Sequence, residues 1–72
     1  MRLTIQDAIK IARTFMTQAS GFTSVKIEEV VPNEAREEWM VVVSSIYGGQ
    51  MKEVIIKDND GTVVAYKIHD RS

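Results

Sequence analysis

The chain has 72 residues, of which 44% are hydrophobic and 26% are charged, and this composition excludes a disordered or low-complexity protein. Its 9 basic and 10 acidic residues give a net charge of −1, which argues against a nucleic-acid-binding surface. The sequence contains no cysteine and only one histidine, so it offers no disulfide framework and no thiolate metal site. We expect residues 1–72 to form one small domain, close to the lower size limit for independent folding.

Residues 4–20 have the apolar spacing of an amphipathic helix. Thr4 is a good N-cap, and Asp7, three residues later, completes the pattern of a capping box. Gly21 predicts the end of the helix, because glycine enters the left-handed region without a Cβ clash. The apolar residues that define one side of this helix are Ile5, Ala8, Ile9, Ala12, Phe15, Met16 and Ala19.

The first predicted strand covers residues 23–31, which are rich in β-branched side chains. Val25 and Ile27 alternate with charged residues, but this alternation breaks at Val30 and Val31. We therefore predict a bulge or the end of the strand at those two residues. Pro32-Asn33 is predicted to open a polar loop.

Three further strands are predicted at residues 38–47, 50–58 and 62–69. Gly48-Gly49 is predicted to be a two-residue hairpin turn between the first two of them. This turn would pair Tyr47 with Gln50, Val43 with Val54, and Val41 with Ile56. The predicted fold class is therefore α+β, with one N-terminal helix packed on a four-stranded antiparallel meander (αββββ).

The last hairpin leaves two registers open. If Asn59-Asp60-Gly61 is a three-residue loop with Gly61 left-handed, Val54 pairs with Tyr66 and Ile56 with Val64. If Asp60-Gly61 is instead a two-residue turn, every side chain of the last strand changes face. We favour the first register, because it places Val64, Tyr66 and Ile68 beside the other apolar residues of the face that packs on the helix. The other residues predicted for that face are Trp39, Val41, Val43, Val54 and Ile56.

The second face of the sheet, which we call the outer face, is unusually apolar for a surface that one helix cannot cover. Its predicted residues are Met40, Val42, Ser44, Ile46, Met51, Glu53, Ile55 and Lys57, with Val63 and Ala65. A large exposed apolar patch usually marks a site of association. The predicted contact residues for a partner or a dimer are Met40, Val42, Ile46, Met51 and Ile55.

This arrangement resembles the PepSY domain family and, more broadly, small cystatin-like modules. The matching segments are DAIKIARTF (residues 7–15), WMVVV (residues 39–43) and VIIKDNDGTVVAY (residues 54–66). Asp60 stands where the family's hairpin usually has threonine. The resemblance implies a domain that binds or inhibits peptidases, in a family whose members are typically secreted or membrane-attached.

No residue pattern predicts catalytic, cofactor-binding or metal-binding residues. His69 beside Asp70 could form a general base with its carboxylate, but a solvated histidine near the C-terminus is the simpler interpretation. The segment DNDG (residues 58–61) does not have EF-hand spacing, and turn chemistry explains it. Trp39, at the start of a core-facing strand, is predicted to be packed rather than to bind a ligand.

We therefore expect a noncatalytic protein- or peptide-interaction module, and a peptidase is the partner that the resemblance implies. The alternative is a homo-oligomeric structural protein whose outer face is buried by self-association, and a small-ligand binder is a third option. The expected partners are a second copy of the chain or a peptide or protein, with no cofactor, no nucleic acid and no membrane insertion. Polar residues interrupt any apolar run in residues 1–16, so a soluble, cytoplasmic protein is expected.

Overall fold

A computed structural model of the chain describes residues 2–21, 25–46 and 49–69. It contains one helix followed by a four-stranded antiparallel sheet with strand order β1-β2-β3-β4, which confirms the predicted αββββ architecture. The elements are α1 (Ile5–Ser20), β1 (Val25–Asn33), β2 (Glu38–Ser45), β3 (Lys52–Lys57) and β4 (Val63–Ile68).

The helix begins and ends where the sequence predicts. The Thr4 hydroxyl accepts a hydrogen bond from the backbone N–H of Asp7 at 3.1 Å, and the Asp7 carboxylate accepts one from the N–H of Thr4 at 3.0 Å. At the other end, Gly21 has φ of 72° and donates its N–H to the carbonyl of Thr17 at 3.0 Å. These caps satisfy backbone groups that a helix terminus otherwise leaves unpaired.

The bulge in β1 lies earlier than the predicted position at Val30 and Val31. The pairing of β1 with β2 shifts register between Ile27 and Glu29. This shift lets Ile27 and Val30 both pack against the core on the helix side, although their separation is odd. The prediction was therefore correct that the alternation breaks, and wrong about where. Residues 23 and 24 of the predicted strand lie outside the described residues.

Pro32 and Asn33 continue β1 and do not open the loop, which corrects the prediction. They pair with Trp39 and Glu38 of β2. Because β1 is an edge strand, the missing N–H of proline can face away from the sheet at no cost to the ladder. The turn follows this strand, where Glu37 adopts a left-handed backbone with φ of 53° and donates its N–H to the carbonyl of Glu34.

The register between β2 and β3 differs by two residues from the prediction. Val41 pairs with Val54 and Trp39 with Ile56, so the predicted pairs of Val43 with Val54 and of Val41 with Ile56 are wrong. The strands end at Ser45 and resume at Lys52, which leaves a longer connection than a two-residue turn. Tyr47 and Gly48, on which the predicted turn rested, lie outside the described residues. A shift of two residues preserves the alternation, so the assignment of side chains to faces still holds.

The last hairpin follows the favoured register in part. Val54 pairs with Tyr66, and Gly61 is left-handed with φ of 75°, both as predicted. A register shift between Ile55 and Ile56 then pairs Ile56 with Val63, not with Val64. Val63 consequently packs against the core on the helix side, which corrects its predicted place on the outer face.

The hydrophobic core lies between α1 and one face of the sheet. The helix packs against β1, β2 and β3 and barely reaches β4. The residues of β2 and β3 predicted for the helix side are all buried, including Trp39, for which the prediction of a packed side chain is confirmed. The buried core consists of Ala8, Ala12, Met16, Val25, Trp39, Val41, Val43, Val54 and Ile56.

Gly61 also brings the β3–β4 turn close to the helix. A Cβ added there would lie 3.1 Å from Cδ1 of Ile11, whereas one added at Gly21 would meet nothing within 4 Å. Since both glycines are left-handed, Gly21→Ala should lower the free energy of unfolding by about 1–2 kcal/mol from backbone strain alone. We expect Gly61→Ala to cost more, because Ile11 must also move. Urea unfolding of both variants measures the difference, and equal losses would contradict close packing of this turn on α1.

Candidate interaction surface

The outer face of the sheet is less exposed than the sequence predicts. Val42 is completely buried within the single chain, so it cannot serve as a contact residue as predicted. Its register neighbours are Glu29 on β1 and Glu53 on β3, whose long side chains can lay their methylene groups over it. Ile46 is 60% exposed. The other predicted contact residues are partly buried: Met40, Met51 and Ile55.

A groove at the hairpin end of the outer face brings two of the predicted contact residues together. It is open, holds about 450 Å³, and combines the apolar side chains of Ile46 and Met51 with a polar wall. In that wall, the Ser44 hydroxyl donates to Glu28 at 2.6 Å, and the Lys26 ammonium lies 4.0 Å from the same carboxylate. The groove is lined by Lys26, Glu28, Ser44, Ser45, Ile46, Gly49 and Met51.

Met40 and Ile55, the remaining predicted contact residues, lie directly opposite each other in the middle of the outer face. They are register partners on β2 and β3, and both are partly buried. They form a second apolar area on the outer face, separated from the groove by the buried Val42 and its register partner Glu53, and α1 packs on the opposite face.

His69 does not behave as the solvated histidine that the sequence predicts. Its Nδ1 lies 2.8 Å from a carboxylate oxygen of Glu53, and its side chain is only 16% exposed. The ammonium of Lys67 is 3.5 Å from the other oxygen of Glu53. The hydrogen bond with His69 and the charge of Lys67 hold the pKa of Glu53 below its usual range, although burial acts in the opposite direction. Asp70, the carboxylate considered for His69, lies outside the described residues.

Within the described part of the chain, no nucleophile is seen to hydrogen-bond to His69. The Ser44 hydroxyl, near the hairpin end of β2, donates to Glu28 rather than to His69. The cluster instead joins the end of β4 to β3, where the N–H of His69 also donates to the carbonyl of Met51 at 2.9 Å. We call Glu53, Lys67 and His69 the clamp, because their contacts hold the end of β4 against β3.

The clamp predicts a specific dependence of stability on pH. A carboxyl group whose folded-state pKa is lowered stabilises the fold above its unfolded pKa, and this contribution is lost as pH falls through the folded value. We therefore expect Glu53→Gln to lower the melting temperature at pH 7 and to flatten its decline below about pH 4.3. Thermal unfolding between pH 7 and pH 2 tests this, with exposed Glu34→Gln as the control. Parallel acid profiles for Glu53→Gln and the unmodified protein would contradict the clamp.

Asp58 is the buried charged residue that the sequence analysis missed. It is 5% exposed and accepts three hydrogen bonds: from the N–H of Arg2 at 2.6 Å, from the N–H of Leu3 at 2.9 Å, and from the indole of Trp39 at 2.9 Å. Burial raises the pKa of Asp58, but these hydrogen bonds outweigh it and the pKa lies below its usual range. A buried indole N–H requires an acceptor, so the predicted burial of Trp39 was the feature of the sequence that could have indicated a buried acceptor such as Asp58.

Strand β4 carries three large apolar side chains that are exposed. The rings of Tyr66 and Phe15 meet edge to face, with their centroids 5.3 Å apart. The Lys52 ammonium lies 5.9 Å from the centroid of the Tyr66 ring. Even so, Val64, Tyr66 and Ile68 are 46%, 38% and 52% exposed. The prediction that all three pack under the helix was wrong, because Val63 takes the place predicted for Val64 opposite Ile56 and α1 makes few contacts with β4.

A second groove lies between α1 and β4, where the helix falls short of the sheet edge. It holds about 280 Å³ and is mostly apolar. Such a groove is the place where a small ligand would bind if the third functional option were correct. It is lined by Lys10, Ile11, Thr14, Phe15, Gln18 and Val63.

Across residues 2–21, 25–46 and 49–69, no three His, Cys, Asp or Glu side chains form a group that could hold a metal ion. Among the same residues, no helix is long and apolar enough to cross a membrane. In comparisons with known proteins, no family model, no curated protein and no solved structure matches the chain. The resemblance to PepSY domains therefore stays a prediction.

Proposed function

We propose that the protein is a noncatalytic interaction module that binds a peptide or protein segment on the outer face of its sheet. The observation that carries the proposal is the groove in which half-buried Met51 and exposed Ile46 stand beside a polar wall. An apolar recess with a polar rim is typical of protein-binding sites.

The chemistry of the groove indicates which segment would bind. The Glu28 carboxylate is already engaged by Ser44 and Lys26, so the wall contributes little unpaired charge. Burial of an apolar side chain against Ile46 and Met51 is then the main source of affinity, and methionine adapts well to differently shaped partners. We expect an extended segment with one large apolar anchor, and the PepSY resemblance makes peptidases a partner class to include.

The test begins with a library of random peptides displayed on phage, selected against the unmodified protein. Ile46→Glu should weaken binding of the selected peptides at least about tenfold, since burial of an isoleucine is worth roughly 1.5–3 kcal/mol. The matched control is Ile5→Glu, which changes an isoleucine of similar exposure, 53%, in the first turn of α1.

Fluorescence anisotropy with labelled peptides measures both variants. Loss of binding in Ile46→Glu, with binding retained in Ile5→Glu, supports the outer-face groove. Peptides whose affinity is unchanged by Ile46→Glu would contradict it.

A further inference from the structure

The sheet has two edges that differ in their readiness to pair with another strand. Edge strand β1 contains proline at position 32 and a charged stretch around its bulge, both of which discourage pairing between molecules. Edge strand β4 has no proline, and its single charged residue, Lys67, is engaged by Glu53 of the same chain. The β4 edge is therefore open where the β1 edge is protected.

The backbone of β4 presents unpaired groups along this open edge. The N–H of His69 donates to Met51 of β3, so His69 directs its backbone groups toward the sheet. In an antiparallel ladder this direction alternates, and the backbone groups of Tyr66 and Ile68 consequently point away from β3. A strand added here would find donors and acceptors in place.

Apolar side chains are concentrated at the same edge. Among the described residues, five large hydrophobic side chains are exposed, and three of them, Val64, Tyr66 and Ile68, belong to β4. An occupant of the edge must therefore supply hydrogen bonds together with apolar side chains. The strand itself, VVAYKI, offers both.

We propose that two copies of the chain pair their β4 strands antiparallel about a two-fold axis at Tyr66, forming one continuous eight-stranded sheet. This inference is independent of the proposed peptide-binding groove, which lies on the outer face at the hairpin end. A two-fold axis at Tyr66 places Tyr66 opposite its own copy and Val64 opposite Ile68 of the second copy. Directly opposed aromatic and aliphatic side chains stabilise antiparallel pairs.

Charge selects this register over its neighbour. With the axis at Tyr66, Lys67 lies opposite Ala65 of the second copy. With the axis one residue later, the two Lys67 side chains would lie opposite each other, and like charges in that position are destabilising. The register shift between Ile55 and Ile56 leaves Val64 without a partner on β3, so the pair of Val64 with Ile68 flanks the regular central segment, residues 65–67.

The assembly closes as a dimer. Once the two β4 strands are paired, the only edges left are the two β1 strands, which carry Pro32. The helix does not close off the open edge, because it packs mainly on β1, β2 and β3 and leaves Val64, Tyr66 and Ile68 of β4 exposed. The two outer faces then lie side by side, so the dimer presents two grooves on one surface.

Light scattering coupled to size exclusion, over a concentration series of the unmodified protein, provides the first half of the test. The predicted mass is twice the 8.1 kDa of the chain. A mass of one chain at every concentration overturns the proposal.

Disulfide cross-linking tests the register, since the natural sequence contains no cysteine. Tyr66→Cys should form a cross-linked dimer on oxidation, because directly opposed hydrogen-bonded residues have Cα atoms about 5.5 Å apart. Ile68→Cys is the matched control and should not cross-link, because its copies would lie four residues apart along the strands, roughly 13 Å. Circular dichroism checks that both variants are folded. A dimer that cross-links through Ile68→Cys but not through Tyr66→Cys overturns the proposal.

Discussion

Asp58→Ala should lower the melting temperature by about 10 °C or more, since it removes the acceptor of three hydrogen bonds at once. These bonds come from the backbone of Arg2 and Leu3 and from the indole of Trp39, so one carboxylate joins the chain's start, β2 and the β3–β4 turn. Its loss leaves the buried indole N–H without an acceptor, which is the costly part of the change.

Two further variants separate this role from a general effect of changing the turn. Asn59→Ala alters the exposed neighbour and should shift the melting temperature by only a few degrees, on the order expected for surface substitutions. Asp58→Asn should fall between the two, because the amide oxygen can still accept while its NH₂ group faces a donor. Fluorescence of Trp39, the only tryptophan, reports the unfolding of all three. Equal melting temperatures for Asp58→Ala and Asn59→Ala would contradict the anchoring role.

Val42→Asp is expected to leave the protein largely unfolded at 25 °C. The new carboxylate would occupy a completely buried position between its register neighbours Glu29 and Glu53, so burial and like-charge repulsion act together. An uncompensated buried charge costs about 3–5 kcal/mol. A domain of this size has only about 3–5 kcal/mol of stability in total.

The matched control for this variant is Ile46→Asp, which places the same carboxylate on the same face at an exposed position. It should retain the far-ultraviolet circular dichroism spectrum and the cooperative unfolding of the unmodified protein. Val42→Asp folding as well as Ile46→Asp would contradict the burial of Val42 within the outer face.

The features that could be predicted from sequence depend on local chemistry. The caps at Thr4 and Gly21 satisfy the ends of a single helix, and their chemistry acts within a few residues. The division of β2 and β3 into two faces follows from alternation alone, which survives an error of two residues in register. Local patterns were therefore enough to predict the αββββ arrangement.

The features that could not be predicted depend on how distant residues meet. Pairing of β2 with β3 is set by the whole connection between Ser45 and Lys52, and two glycines do not determine its length. Val42 is buried between two register neighbours that are both glutamates, and identifying these neighbours requires the correct registers. Asp58 gains its role from residues more than fifty positions earlier in the chain.

The exposure of β4 was also beyond sequence reasoning. Periodicity predicts which side of the sheet Tyr66 faces, and the edge contact with Phe15 agrees with that prediction. Periodicity does not predict how far one helix reaches across four strands. Because α1 makes few contacts with β4, Tyr66 and Ile68 remain exposed at the edge of the sheet.

Chemical-shift mapping of a library-selected peptide on the ¹⁵N-labelled protein tests the central claim most directly. An outer-face interaction module predicts that the largest shifts fall on backbone amides of the groove, at Lys26, Ser44, Ile46 and Met51. The amides of Ile11 on α1 and Val63 on β4, which line the groove between these two elements, should move little. Shifts concentrated at Ile11 and Val63 would contradict the claim and place the binding site between α1 and β4.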